Sequence, residues 1–193
     1  MNRIRKYVLT GGPCVGKTTV INIFAERGFS TVPEVARAII ERELEAGSDI
    51  LPWKNTERFQ HAYAEEQRRA ELTLPEHIEH AQDRRAVFMD RSIIDGQAFC
   101  VFGNVPVPEI TPAHVSELRD RNDEYDVIFI LDPLERYEFD DGRVFKPEES
   151  LKLHELVREA YEYYGFQTVR VPLLPPEDRA DYILSKVREF QAA

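Results

Sequence analysis

The sequence contains very little cysteine. Only two of its 193 residues are cysteines, Cys14 and Cys100, and a long stretch of chain separates them. This pattern offers neither a disulfide framework nor the paired spacing of a zinc site. It therefore excludes a small disulfide-stapled fold and a metal held by cysteine pairs.

Long hydrophobic runs are also absent. No stretch of the sequence approaches the roughly 18 consecutive apolar residues that a membrane-spanning helix needs. Residues 1–6 are rich in basic side chains, but they lack the apolar core and the small-residue cleavage site of a signal peptide. We therefore expect no membrane span and a cytoplasmic location.

Positive charge is scarce. The chain carries 25 lysines and arginines against 35 aspartates and glutamates, which gives a formal net charge of −10. A general nucleic-acid binder would normally present a basic face, so we expect no nucleic-acid partner. An acidic protein that binds a polyphosphate must instead concentrate its few cations locally.

The chain also lacks internal repeats, linkers and low-complexity segments. Its 193 residues are enough for one well-cored domain and too few for two full ones. We therefore predict a single domain that covers residues 1–193. The sequence gives no indication of the oligomeric state.

One glycine-rich segment carries most of the functional information. It fits G-x-x-x-x-G-K-[ST], the pattern of the phosphate-binding P-loop, and lies between a predicted strand at 7–10 and a predicted helix at 18–27. In such a loop, backbone N–H groups and the helix N-terminus converge on an anion. We expect a bound nucleoside triphosphate, with Lys17 at its β and γ oxygens and the Thr18 hydroxyl on a magnesium ion. The predicted triphosphate-binding residues are Gly11, Gly12, Pro13, Cys14, Val15, Gly16, Lys17, Thr18 and Thr19.

Strand and helix patterns alternate along nearly the whole chain, which is typical of an α/β fold with a parallel sheet. The apolar run at 127–131 indicates a central parallel strand. Predicted strands cover residues 7–10, 29–32, 86–90, 125–131 and 167–171. Predicted helices cover residues 18–27, 33–47, 56–83 with a kink near Pro75, 92–102, 112–122, 147–164 and 176–190.

Asp90 and Arg91 follow the third predicted strand directly. A P-loop needs a second acid at the tip of a neighbouring strand to hold magnesium or its water shell, and Asp90 suits that role. Arg91 would then lie beside the phosphates. The alternatives are that Asp90 is the N-cap of the following helix, or that Asp90 and Arg91 form a surface ion pair of little energetic value.

Glu34 follows the second predicted strand, so it could reach the acceptor side of the same cleft. A carboxylate there could orient or deprotonate a substrate hydroxyl, and Arg37 could bind an anionic acceptor. The alternative is that Glu34 is a first-turn glutamate with no role beyond its favourable interaction with the helix dipole, and that Arg37 is in solvent.

A charged segment at 132–146 follows the central strand. Its cations, Arg136, Arg143 and Lys146, could close over the transferring phosphoryl group as part of a lid. Because the segment is acidic overall, a solvated loop is the alternative.

These motifs together resemble a known group. The segment GGPCVGKTT, Pro33-Glu34 with Arg37, the stretch 87–92 with Asp95-Gly96, and the arginine-bearing stretch after an apolar strand are similar to small kinase-like P-loop proteins that are sometimes labelled AAA-type ATPases. That group includes the ribosylnicotinamide-kinase-like domain. The resemblance spans nearly the whole chain and implies a three-layer α/β/α fold around a five-stranded, mostly parallel sheet.

The Asp-Arg-Ser element and the glutamate after the second strand are similar to those of the nucleoside kinases. By that likeness Glu34 is the base and Arg91 a phosphate ligand. The arginine finger and sensor arrangement of ring-forming AAA machines is absent, so a hexameric motor is not implied. The sequence also has no N-K-x-D motif for guanine, which favours ATP over GTP, although GTP is possible.

The sequence therefore predicts a Mg²⁺-dependent enzyme that transfers the γ-phosphoryl group of ATP to a small-molecule acceptor, or hydrolyses ATP. Its catalytic residues would be Lys17, Glu34, Asp90, Arg91, Arg136 and Arg143; Glu34, Arg37 and Arg91 would contact the acceptor, and Thr18 and Asp90 the metal. The alternative is a nucleotide-dependent switch that acts through a protein partner. Nothing in the sequence identifies the acceptor.

Overall fold

The computed structural model of the protein describes residues 3–74, 86–134 and 145–192. Its strands are β1 (Arg5–Thr10), β2 (Ser30–Val32), β3 (Ala86–Asp90), β4 (Val127–Leu131) and β5 (Thr168–Val171). Its helices are α1 (Lys17–Glu26), α2 (Val35–Glu45), α3 (Thr56–Leu72), α4 (Asp95–Gly103), α5 (Ile110–Asp120), α6 (Pro147–Tyr163) and α7 (Pro176–Ala192).

The five strands form one sheet in the order β2-β3-β1-β4-β5. All four pairings between these described strands are parallel. Parallel strands need crossover connections, and helices supply them here. The predicted α/β class is confirmed.

Helices cover both faces of the sheet, because alternate residues of each strand point to opposite sides. On one face Val8, Met89 and Ile128 pack with residues of α3 to α6. On the other face Leu9 and Phe88 pack with residues of α1 and α7. The three-layer α/β/α arrangement is confirmed.

Three predicted helix starts are wrong. Pro33 lies before α2, because Glu34 is the N-cap with extended backbone angles (φ −62°, ψ 111°). Helix α5 begins at Ile110, which places Thr111 in its first turn rather than at its cap. The third error is at residue 92: a turn, closed by a hydrogen bond from Asp95 N to Ser92 O, precedes α4.

Two predicted features lie outside the described residues. Residues 75–85 contain Pro75 and the predicted last turns of the third helix, and residues 135–144 contain Arg136 and Arg143 of the predicted lid. Of the three cations predicted for the lid, Lys146 is described. It is the N-cap residue of α6, where its backbone N–H donates to Glu149 Oε2 at 2.7 Å. The lid and the roles of its arginines stay predictions.

Candidate active site

The P-loop connects the central strand β1 to α1 at the carboxyl edge of the sheet. Gly11 has a φ of 133° and Gly16, the N-cap of α1, a φ of 87°. These angles lie in the region that favours glycine. A Cβ atom at Gly12 would lie 2.6 Å from the backbone oxygen of Ser150. The backbone angle therefore favours glycine at positions 11 and 16, and close packing requires it at position 12.

The other motif residues divide between core and solvent. Val15 is buried and packs in the core with α1 and α7. Pro13 and Cys14 are half-buried, while Thr18 and Thr19 are exposed at the start of α1. Cys14 also has a positive φ of 61°, which shows how tightly the backbone curls here.

Lys17 is buried, and its ammonium donates a hydrogen bond to the carbonyl oxygen of Gly12 at 2.9 Å. Burial is the largest cause that lowers the pKa of Lys17, and the positive charge of Arg91 is the second. Together they lower it to about 8, although Asp90 and other nearby carboxylates oppose this. The negative charge of a phosphate group bound here would favour the charged form of Lys17.

Thr18 and Asp90 lie together, as a shared metal role requires. The Thr18 hydroxyl donates to Asp90 Oδ2 at 2.8 Å. The other carboxylate oxygen, Oδ1, is buried and has no hydrogen-bond partner among the described residues. Burial raises the pKa of Asp90 despite the opposing charge of Lys17. Mg²⁺ takes hard oxygen ligands from one or two side chains plus phosphates. The Thr18 hydroxyl and the Asp90 carboxylate are ligands of this kind.

Arg91 is the centre of the site. It is buried, has a φ of 75°, and its guanidinium donates to Gly11 O at 3.1 Å, Asp95 Oδ1 at 2.9 Å and Glu34 Oε1 at 3.1 Å. Burial opposes its charge, but Asp95 and Glu34 outweigh that effect and raise its pKa. The left-handed backbone of Arg91 is a strained conformation for a residue with a side chain.

Glu34 faces Arg91 from the start of α2, with its side chain 22% exposed. Burial alone would raise the pKa of Glu34, but the charges of Arg91 and Lys17 outweigh burial and lower it. Its carboxylate is therefore ionised at neutral pH. Arg37 is exposed one turn along α2, where its charge adds to the lowering of the Glu34 pKa.

Sequence reasoning missed the role of Asp95. Its buried carboxylate accepts hydrogen bonds from Thr10 Oγ1, Arg91, the Ser92 N–H and the Tyr161 hydroxyl. It therefore fixes the Arg91 guanidinium from the side opposite Glu34. The spacing of four residues between Arg91 and Asp95 was the available signal.

Gln60 was also missed. It is 4% exposed on α3, and its Oε1 has no hydrogen-bond partner within the described part of the chain. A Cβ atom at Gly96, the residue after Asp95, would lie 3.3 Å from this oxygen and 3.0 Å from the Tyr63 ring. No sequence pattern distinguishes Gln60 from the other polar residues of a polar helix.

Side chains of the outer helices also hold the P-loop from outside the motif. Gly12 N–H donates to His154 Nδ1 at 3.2 Å, and Arg179 donates to Val15 O at 2.6 Å. His154 belongs to α6 and Arg179 to α7. The layers on both faces of the sheet therefore contact the phosphate loop.

Two negative findings apply to residues 3–74, 86–134 and 145–192. None of the helices there combines the length and the apolar character that crossing a membrane requires. No group of three or more histidine, cysteine, aspartate or glutamate side chains is arranged there to hold a metal ion.

A family model described as an AAA domain (AAA_28) matches residues 6–179. The chain belongs to this AAA domain family. The resemblance to small kinase-like P-loop proteins with an AAA label is thereby confirmed. A search of curated protein sequences finds no match.

Several solved structures share the fold. They include NadR protein in complex with NR (18% identity, TM-score 0.69), NadR protein in complex with NAD and AMP-PNP (15%, 0.62), and deoxyadenosine kinase from M. mycoides with bound dATP (15%, 0.56). The similarity covers 98%, 98% and 95% of this AAA-family chain. The chain spans about half of the two NadR chains (52% and 50%) and 99% of the deoxyadenosine kinase. At these identities the comparison shows a kinase-type P-loop fold.

Proposed function

We propose that this protein is a Mg²⁺-dependent kinase that transfers the γ-phosphoryl group of ATP to a hydroxyl group of a small, nucleoside-like acceptor. The observation that carries the proposal is the contact of Glu34 with Arg91 beside Lys17. A plain nucleotide switch needs no ionised carboxylate opposite its P-loop, whereas a kinase needs one to prepare the acceptor.

Each residue then has a defined task. Lys17 and Arg91 bind the transferring phosphoryl group, whose equatorial oxygens carry the developing charge. Thr18 and Asp90 would hold Mg²⁺, which would neutralise charge on the β- and γ-phosphate oxygens. Glu34 accepts the proton of the attacking hydroxyl, and Arg91 keeps Glu34 in place until the acceptor binds.

A nucleoside-like acceptor is supported by two observations. The Gln60 amide oxygen is buried without a partner in the described residues and lies against Gly96, next to Asp95. A buried amide of this kind selects ligands that complete its hydrogen bonds. The similar folds include structures with NR and dATP. Arg37 would meet an anionic part of the acceptor at the rim of the cleft.

Glu34→Gln tests the proposal. We expect the turnover number for acceptor phosphorylation to fall about 100-fold or more, the usual contribution of a general base, while the KM for ATP changes less than about threefold. The assay follows ADP release from Mg-ATP across a panel of nucleosides, nucleotides, vitamins and sugars, with GTP as a second donor and Lys17→Ala as the blank. Because the Glu34 side chain makes no capping hydrogen bond to α2, the substitution leaves the helix start intact.

Glu41→Gln, on the exposed face of the same helix, is the matched control and should behave as wild type. Slow, acceptor-independent ADP release that Glu34→Gln leaves unchanged would contradict the kinase assignment. That result would instead support a nucleotide-dependent switch.

A further inference from the structure

His154 contacts the P-loop through one peptide group. The Gly11–Gly12 peptide donates its N–H to His154 Nδ1 at 3.2 Å and accepts, through Gly11 O, from the Arg91 guanidinium at 3.1 Å. The two bonds hold opposite ends of the same planar unit. Gly11 has no side chain and adopts a φ of 133°, which other residues rarely take. Backbone preference therefore does little to fix the orientation of this peptide, and its two hydrogen bonds restrain it.

The orientation of this peptide affects both cations of the site. If the peptide rotates, Gly11 O no longer faces Arg91. The next carbonyl, Gly12 O, accepts from Lys17 Nζ at 2.9 Å, so it moves as well. His154 therefore acts on Arg91 and Lys17 without contacting either through a hydrogen bond of its own.

We propose that His154 is a positioning residue for phosphoryl transfer: its unprotonated Nδ1 holds the Gly11–Gly12 peptide in the orientation that places Arg91 and Lys17, and protonation of the ring releases it. The role in turnover rests on the kinase function proposed above. The hydrogen bond requires the tautomer with its proton on Nε2, since only an unprotonated ring nitrogen accepts.

The surroundings of His154 favour the neutral ring. Burial lowers the pKa of His154, and the positive charges of Lys17 and Arg158 act in the same direction. The negative charges of Glu155 and Asp132 oppose them. These groups come from α1, from α6 itself and from the residue after β4. With the pKa below its ordinary value of 6.5, the hydrogen bond is complete at neutral pH and is lost on acidification.

Packing holds the helix against the loop independently of the ring. The Ser150 hydroxyl, one turn before His154, donates to Pro13 O at 3.0 Å. A Cβ atom at Gly12 would lie within 3.1 Å of His154 Cβ. Substitution of the imidazole should therefore remove the hydrogen bond while α6 stays in contact with the loop.

The test compares the wild type with His154→Asn and His154→Leu. The Asn amide oxygen can take the place of Nδ1 as an acceptor and has no titration in this range, whereas Leu keeps the bulk without an acceptor. Affinity for the Mg²⁺ complex of AMP-PNP is measured by calorimetry between pH 8.5 and 5.0. Acceptor turnover is measured across the same range, and circular dichroism monitors folding.

We expect the His154→Leu variant to bind about tenfold more weakly at pH 8, the effect of one hydrogen bond, and to lose turnover at least as strongly. The Asn variant should recover most of both. Relative to Asn, the wild type should lose affinity as the pH falls below 6.5. Equal binding by the Asn and Leu variants, or parallel pH profiles for wild type and Asn, would overturn the proposal.

Side-chain ¹⁵N NMR of His154 gives a readout that does not depend on activity. We expect the Nε2–H tautomer at pH 7.5 and its loss on acidification, and a proton on Nδ1 at pH 7.5 would overturn the proposal. If no acceptor is phosphorylated at any pH, the kinase function fails, yet the affinity profiles and the tautomer still decide the positioning role.

Discussion

At the scale of single residues, the site holds charges at a cost in stability. Lys17 is buried, and its pKa falls from 10.5 to about 8. Each pKa unit corresponds to about 1.4 kcal/mol, so the charged form is disfavoured by roughly 3 kcal/mol at neutral pH. The negative charge of a bound triphosphate would offset that penalty, and this gain would add to the affinity for the triphosphate.

This leads to a prediction for Lys17→Met. We expect the ligand-free variant to be more stable than wild type by about 1 to 2 kcal/mol at pH 7, after loss of the hydrogen bond to Gly12 O. Since the folded-state pKa lies below the unfolded one, wild-type stability rises with pH between about 8 and 10.5. The difference between the two proteins should therefore shrink by pH 9.5.

Urea unfolding at pH 7 and pH 9.5 measures both quantities. We also expect Mg-ATP to raise the melting temperature of the wild type but not that of the variant. A ligand-free Lys17→Met protein that is less stable than wild type at pH 7 would show that burial of the ammonium is not a significant cost.

At the scale of secondary-structure elements, the buried carboxylate of Glu71 joins four parts of the chain. Glu71 on α3 accepts hydrogen bonds from the Ile93 N–H, the Gln67 amide, the His114 ring and the Tyr125 hydroxyl. These donors lie in the β3–α4 turn, on α3, on α5 and just before β4. Glu71 therefore helps to anchor the turn that follows Arg91 to the helical layer, together with Tyr63, whose hydroxyl donates to Ser92 O.

For Glu71→Leu we expect a loss of about 3 kcal/mol in the free energy of unfolding, because several buried donors lose their acceptor. Glu71→Gln should cost only about 1 kcal/mol, because the Tyr125 hydroxyl can rotate to accept from the new amide. Glu65→Leu, at an exposed position on the same helix, should stay within about 0.5 kcal/mol of wild type. Equal losses for the Leu and Gln variants at position 71 would contradict this account.

The elements that could be predicted from sequence are those with a strong local pattern. The bounds of β3 match the predicted 86–90, since a continuous apolar run marks a strand buried on both faces. The start of α2 was wrong because Pro33 suits both the first helical position and the extended residue before a cap. The pattern at Thr111-Pro112 was equally ambiguous, and α5 begins before it.

The residues of the candidate site also differ in how well a local sequence pattern predicts them. The sequence indicated that Glu34, Asp90 and Arg91 lie near one another, because strand ends on one edge of a parallel sheet converge, and in the structure they do. His154 and Arg179 were not found, because they contact loop residues 142 and 164 positions away in sequence. Such contacts depend on how helices pack against the sheet, which no local pattern determines.

At the scale of the whole molecule, the phosphate loop is held from both outer layers. His154 and Ser150 reach it from α6, and Arg179 reaches it from α7 on the opposite face of the sheet. Arg179 also donates to Asp132 O after β4 and Pro172 O after β5. One guanidinium thus ties the P-loop to the ends of two strands.

This arrangement gives a prediction for Arg179→Lys. Arg179 is 2% exposed, and an ammonium cannot match the planar fork that serves three carbonyl oxygens at once. At least one buried carbonyl loses its donor, so we expect a loss of about 2 to 4 kcal/mol in the free energy of unfolding and weaker ATP binding.

Arg27→Lys is the matched control, because Arg27 joins α1 to the same helix through Glu177 and Asp181 in a solvent-exposed pair. Exposed pairs contribute little, so this variant should unfold within about 0.5 kcal/mol of wild type and bind ATP normally. Urea unfolding and calorimetry on both variants decide the matter. Equal effects at the two positions would mean that α7 supports the P-loop by general packing, whereas a loss confined to Arg179→Lys would trace that support to the three carbonyl contacts.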